Sequence, residues 1–309
     1  MELFKNILPP NILECTERAG ICTPRQVITL SISDIEKLTG LQKQDIELLK
    51  KCVARNLCPQ SVTCNKLLNY KDNKVRSSCR AIDNLLDGGF RRGVLSEVYG
   101  ESGSGKTQLG MQLAANYATE GSVYICTEDL FPITRYNQIH ENISIQTGGS
   151  DNNLFVEHIY EASELLSCIR VRLPKLLQQH KISVIVLDSV AAPFRCETTN
   201  YIQRAEDLRE LAIMLIKIAQ EYNLAVICIN QVTSNFDDSS KTLLPSLGLA
   251  WSNMITYRFW LQKSSITNSL QKSKQVITVR ELKSVFAPDL PNDSCNFIIT
   301  KNGIVDFQL

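Results

Sequence analysis

Apolar positions along the chain fall into two regimes. Through residues 11–57 they recur at helical spacing, and Ile46, Leu49, Val53 and Leu57 form one stripe at intervals of three and four. Gly20 marks a helix stop. Ser33-Asp34-Ile35-Glu36 has the form of a capping box, and Leu38-Thr39-Gly40-Leu41 reads as a turn. The pattern predicts a small helical domain over residues 1–57, either a functional module or a structural cap. Residues 58–78 break it with Cys58-Pro59 and a polar, basic stretch at 69–78, as a linker does.

From residue 79 to 309 the pattern alternates between strand and helix. Strands are expected at 94–99, 123–127, 183–187 and 225–229, and helices at 107–119, 161–179 (kinked at Pro174) and 206–222. Continuous apolar runs such as Ser183-Val184-Ile185-Val186-Leu187 suit parallel strands buried on both faces. The end differs. Residues 254–260, 275–280 and 297–306 read as strands without helices between them, and Asn302-Gly303 signals a hairpin. An α/β core follows, with a mostly parallel sheet covered on both faces and antiparallel strands at its C-terminal end.

Composition narrows the function. The formal net charge of +1 gives no chain-wide attraction to nucleic acid, so DNA contact must come from a local patch or from partners. No apolar run approaches the ~20 residues of a membrane helix, and the start lacks a signal-peptide layout. The expectation is a soluble intracellular protein without a membrane role. The 11 cysteines form no CxxC pair and have no histidine cluster beside them, which argues for free thiols in a reducing compartment and against a zinc site. Lys71, Lys74, Arg76 and Arg80 are too dispersed to form a nuclear signal.

The strongest chemical signal is Gly100-Glu101-Ser102-Gly103-Ser104-Gly105-Lys106-Thr107, which fills every fixed position of G-x-x-x-x-G-K-[ST] between a strand and a helix. Its glycines let backbone N–H groups converge on phosphate, and the helix adds its positive end. Lys106 then reaches the β- and γ-phosphates of ATP, and Thr107 places its hydroxyl on Mg²⁺. Asp188 ends an apolar strand, as expected for the second magnesium contact. Glu128 follows the strand at 123–127, where it could orient an attacking water or start the next helix together with Asp129. Asn230-Gln231 occupies the same place after the strand at 225–229.

The P-loop, Thr127-Glu128, Leu187-Asp188-Ser189 and Asn230-Gln231-Val232, in that order, resemble the RecA recombinase family. The segments Tyr124-Ile125-Cys126-Thr127-Glu128-Asp129, Asp188-Ser189-Val190-Ala191-Ala192-Pro193-Phe194-Arg195-Cys196-Glu197 and Pro245-Ser246-Leu247-Gly248-Leu249-Ala250-Trp251 are similar to one branch of it, the paralogues of the eukaryotic strand-exchange recombinase. The resemblance spans roughly residues 10–309. It implies a RecA-type P-loop ATPase core after a small helical N-terminal domain, with slow, DNA-dependent hydrolysis of ATP to ADP and phosphate.

For individual residues, the resemblance makes Glu128 the catalytic glutamate and Gln231 the γ-phosphate sensor, and it stacks Arg135 on adenine. It makes Pro288-Asp289-Leu290-Pro291 a cap on the ATP of a neighbouring subunit, and puts Arg195 and Arg204 at the DNA unless they lie on a solvated face. The implied partners are the C-type recombinase paralogue, in a heterodimer, the strand-exchange recombinase itself, and single-stranded or branched DNA, in the nucleus. Three departures bear on this. Ser61-Val62-Thr63-Cys64 lacks the aromatic anchor of the recombinase's docking motif. The stretch 195–204 is short and has no glycine. The stretch 233–245 carries Phe236 and Lys241 but also Asp237-Asp238, which repel phosphate. These features favour a mediator in a heteromeric repair complex. A self-assembling strand-exchange ATPase and an adaptor with a purely structural nucleotide site remain the alternatives.

Overall fold

The computed structural model describes residues 8–58, 61–67, 73–149, 151–195, 201–234, 243–267 and 278–307. The chain divides into two units, Met1–Lys71 and Asp72–Leu309.

The first unit contains α1 (Pro10–Arg18), α2 (Pro24–Thr29), α3 (Ile32–Thr39), α4 (Lys43–Leu57) and the short α5 (Cys64–Leu67). Ile12, Val27, Ile35, Ile46, Leu49 and Val53 are fully buried in one cluster. Leu57 leaves the expected stripe: as the last residue of α4 it is 51% exposed. The α3 cap also differs from the expected one. The Ser31 hydroxyl, not that of Ser33, accepts from the Asp34 N–H, which starts the helix two residues early. The chain leaves α3 through Gly40 at φ +69°.

The second unit takes in part of the stretch read as linker. There β1 (Lys74–Val75) pairs with β2 (Phe90–Arg91), with α6 (Arg80–Leu85) between them. Val75 is fully buried, and Ser77 hydrogen-bonds Asp83 through both its N–H and its hydroxyl. The polar composition around Val75 concealed a built-in strand.

The unit continues with β3 (Leu95–Tyr99), α7 (Lys106–Asn116), β4 (Ser122–Cys126), α8 (Ile133–Thr147), β5 (Leu154–His158) and α9 (Ala162–Ser167). A π-helical turn (Cys168–Arg172) leads into α10 (Leu173–Gln179). The turn ends just before Pro174, where the chain lacks a backbone donor. Next come β6 (Val184–Asp188), α11 (Tyr201–Glu221), β7 (Ala225–Asn230), β8 (Val232–Ser234), β9 (Leu243–Pro245) and α12 (Gly248–Ser252). The last four elements are β10 (Tyr257–Thr267), β11 (Thr278–Phe286), β12 (Ser294–Thr300) and β13 (Gly303–Asp306).

Nine strands form one sheet in the order β13-β12-β11-β10-β3-β7-β6-β4-β5. From β10 to β5 every pair is parallel, and from β13 to β10 every pair is antiparallel. The two-residue period of a strand sorts its side chains between two cores. Tyr124, Val186, Ile227 and Ile229 pack with α7 and α8 on one face. Val123, Ile125, Leu187, Val226 and Cys228 pack with α9 and α11 on the other. The expected sandwich of helix, sheet and helix is thus present, with β3, β4, β6 and β7 side by side and their carboxyl ends along one edge. Among the described residues, no helix is long and apolar enough to cross a membrane.

Candidate nucleotide site

The phosphate loop leaves β3 at Gly100 and enters α7 at Lys106. Gly100 passes so close to β10 that a Cβ there would lie 2.0 Å from the Leu261 carbonyl oxygen. Gly105 has φ +113°, and no side chain caps the first turn of α7. The first N–H groups of that helix therefore have no acceptor within it, as an anion cradle requires.

Lys106 Nζ donates to the carbonyls of Gly100 and Glu101, at 2.8 Å each. Burial lowers its pKa, while Asp188, Glu128 and Glu101 act in the opposite direction. Thr107 Oγ1 donates to Asp188 Oδ2 at 2.7 Å, and the hydroxyl of buried Tyr124 donates to the same oxygen at 2.7 Å. Burial raises the Asp188 pKa. The two hydrogen bonds and Lys106 counter the rise, and Glu128 adds to it. Thr107 and Asp188 thus form a hydroxyl–carboxylate pair with only oxygen ligands, suited to a hard cation such as Mg²⁺. Among the described residues, no cluster of three or more histidine, cysteine or acidic side chains could hold a metal without a substrate's help.

Strand β4 delivers Glu128, β6 delivers Asp188 and Ser189, and β7 delivers Asn230 and Gln231. The Ser189 hydroxyl donates to Glu128 Oε1 at 3.0 Å, and Gln231 Nε2 donates to the same oxygen. Gln231 Oε1 accepts from Arg195. A cleft of about 580 Å³ opens among Lys106, Thr107, Glu128, Asp188, Gln231 and Arg280, large enough for a small-molecule ligand.

No motif or periodicity along the chain points to Arg280, which also lines the cleft. It lies 176 residues beyond Ser104, yet its Nε donates to the Ser104 carbonyl at 2.9 Å. A Cβ on Gly105 would come within 3.1 Å of its side chain and 2.8 Å of Ile299. The back of the phosphate loop is therefore the β11–β12 pair. Lys263 on β10 also approaches, with Nζ 3.6 Å from a Cβ built on Gly103.

The remaining candidates lie elsewhere. Arg135 donates to Gln108 Oε1 at 2.8 Å and to the carbonyls of Thr300 and Lys301 at 2.6 and 2.7 Å. It joins α7 to the β12–β13 turn. Pro288-Asp289-Leu290-Pro291 follows β11 at the amino end of β3, across the sheet from its own phosphate loop. Asp289 accepts there from the Tyr257 hydroxyl at 2.6 Å and from Arg91 at 2.7 Å. Arg204 lines a separate cleft with Tyr201, Thr233 and Leu247. Residues 196–200 lie outside the described residues, as do Phe236, Asp237, Asp238 and Lys241.

Comparison with known proteins places this geometry. The Rad51 family model matches residues 72–307. The chain belongs to the Rad51 family. It is 30% identical to DNA repair protein XRCC3 of Mus musculus, over 98% of this chain and 97% of that protein. It is 28% identical to DNA repair protein RAD51 homolog 3 of Cricetulus griseus, over 89% and 87%. It is 30% identical to DNA repair and recombination protein RadB of Methanobrevibacter smithii, over 77% and 99%. The Rad51 match covers the whole nine-stranded sheet, including the C-terminal strands that back the phosphate loop.

Proposed function

We propose that the chain is an ATP-binding repair factor of homologous recombination that acts as a mediator. In this reading it forms a heterodimer with a C-type recombinase paralogue, binds single-stranded or branched DNA and supports filaments of the strand-exchange recombinase in the nucleus. The observation that carries the nucleotide part is the convergence of Lys106, Thr107, Asp188, Glu128 and Gln231 on one cleft from four different elements. The repair part follows from the named roles of the relatives.

The residues present fit ATP and Mg²⁺. Gly103 and Gly105 leave room for backbone approach, at positive φ, and Lys106 rests on carbonyls that phosphate oxygens can replace. Mg²⁺ bound at Thr107, with Asp188 behind it, would neutralise charge on the β- and γ-phosphate oxygens. Lys106 would hold the same oxygens. Glu128 is placed to orient a water and accept its proton, and Gln231 to move from Glu128 to the γ-phosphate. Arg135, already fixed beside Gln108, would offer a face to the base.

One feature supports a heteromer over a self-assembling strand-exchange ATPase: residues 61–64 are exposed and carry no aromatic anchor. The segment 288–291 emerges across the sheet from its own phosphate loop, so any nucleotide it caps belongs to another subunit, whichever chain that is. Co-purification with a tagged C-type paralogue, with and without ATP, tests the reading. A stable one-to-one complex strengthened by ATP supports it. A regular homopolymer of this chain with ATP overturns it in favour of the strand-exchange alternative.

A further inference from the structure

One fully buried ionisable group has no part in the chemistry above. Glu97 lies in the middle of β3 with no exposed surface. Its Oε1 accepts from Asn230 Nδ2 at 2.7 Å and from the Trp251 indole at 2.8 Å, and its Oε2 accepts from Arg258 Nε at 2.5 Å. Burying a carboxylate is costly without such partners. Leu95, Val98 and Tyr99 of the same strand are buried hydrophobics.

The partners of Asn230 show what the carboxylate holds. Asn230 Oδ1 accepts from the backbone N–H of Gln231 at 2.8 Å, and Nδ2 also donates to the Ser246 carbonyl at 3.0 Å. The Ser246 N–H in turn donates to the Gln231 carbonyl at 2.9 Å. Gln231 and Ser246 are the two feet of the β8–β9 hairpin. Glu97 thus fixes Asn230, and Asn230 ties both feet together directly behind the Gln231 side chain.

Spare bonding capacity surrounds this node. Arg258 Nη2 and Ser246 Oγ are buried and find no partner among the described residues. A second arrangement of the same groups has donors waiting for it, as a two-state element needs.

We propose that Glu97 is a positioning residue that couples Gln231 to the β8–β9 hairpin and to Trp251, so that a triphosphate in the cleft is felt at that buried indole. This rests on the nucleotide reading above. When Gln231 turns from Glu128 toward a γ-phosphate, its peptide pulls on Asn230 and Ser246. The Glu97–Trp251 bond then changes because the node is packed on all sides.

The chain has two tryptophans, Trp251 and Trp260, so a fluorine label reports the node directly. The full chain is made with 5-fluorotryptophan, and Trp260→Phe assigns the two resonances. Mg²⁺ with a non-hydrolysable ATP analogue should shift the Trp251 signal, and Mg²⁺ with ADP should shift it less than half as far. Gln231→Ala should abolish the difference at saturating nucleotide. The pair Glu97→Gln with Arg258→Met, which leaves no lone buried charge, should abolish it too. Calorimetry follows nucleotide binding separately. If the wild type binds no nucleotide, the nucleotide reading falls and this inference with it. If it binds and Trp251 does not respond, or either variant keeps the full difference, only this inference is overturned. If the double variant does not fold, Gln231→Ala decides.

Discussion

The side-chain amide of Gln231 donates to the carboxylate of Glu128, and its carbonyl accepts from Arg195. Glu128 is thereby occupied on Oε1, where Ser189 also donates. A water entering this arrangement finds that oxygen already engaged. Under the proposed function, release of Gln231 toward a phosphate would leave that oxygen with the Ser189 donor alone, which would link binding to hydrolytic competence through one amide.

The role of Glu128 follows from this. Glu128→Gln keeps the shape but cannot take a proton in the same way. It should bind nucleotide normally and lose about 100-fold or more of its hydrolysis, the usual scale of a general base. Single-turnover phosphate release in the paralogue complex is the measurement. Poor folding of the variant would make Glu128 a structural residue of the β4–α8 connection instead.

Among the described residues, Lys106 Nζ hydrogen-bonds only to carbonyls of its own loop. Lys106→Ala should therefore leave the melting temperature within a few degrees of wild type. A hydrogen bond to a charged group is worth about 1.5–3 kcal/mol, so ATP affinity should fall roughly ten- to a hundredfold. Calorimetric titration with ATP and Mg²⁺ shows the loss, and equal affinity in both proteins refutes the cradle.

Asp188 predicts a trade between stability and ligand binding. Its folded pKa is raised by burial, so between the ordinary carboxylate range and that raised value the folded chain holds more protons than the unfolded one. Stability from this group then falls as pH rises through the window. Asp188→Asn should melt higher than the ligand-free wild type at pH 7–8, with the gap closing as the pH is lowered toward about 4. The same variant should respond less to Mg²⁺ with ATP. Thermal melts across pH, with and without nucleotide, separate the two effects.

Pro288 and Pro291 are both exposed at the far end of the sheet. Replacing both by glycine should weaken ATP-dependent pairing with the paralogue while barely moving the melting temperature of the chain alone, since Asp289 keeps its bonds to Tyr257 and Arg91. Light scattering with and without ATP reads the pairing. Equal loss of pairing in the absence of nucleotide would show that the segment is ordinary interface.

Much of this was visible in the residues themselves, because it depends on neighbours along the chain. The phosphate loop announces itself between an apolar strand and a helix. Asp188 ends a run of four apolar residues. Asn302-Gly303 does mark the β12–β13 turn, with Gly303 at φ +105°. What stayed hidden depends on strand order. Arg280 meets Ser104 only because β11 lies two strands from β3, a fact that no periodicity encodes. Glu97 carries no signal of its own along the chain, because its partners Trp251, Asn230 and Arg258 come from three distant elements. The helix α8 and the strand β5 went unread because polar residues break their stripes: β5 is an edge strand whose side chains are only partly buried.

The wall behind the phosphate loop has a consequence for how the protein is made. Leu261, Arg280 and Ile299 close around Gly100 and Gly105, and Gln112 on α7 accepts from the N–H of Ile304. On the ribosome, the loop that carries the P-loop text emerges long before the residues that hold it. A nascent chain thus has the words of a phosphate loop well before it has the wall behind it, and a premature stop between the Thr107 and Arg280 codons would release a protein whose signature is intact and whose cradle has no back.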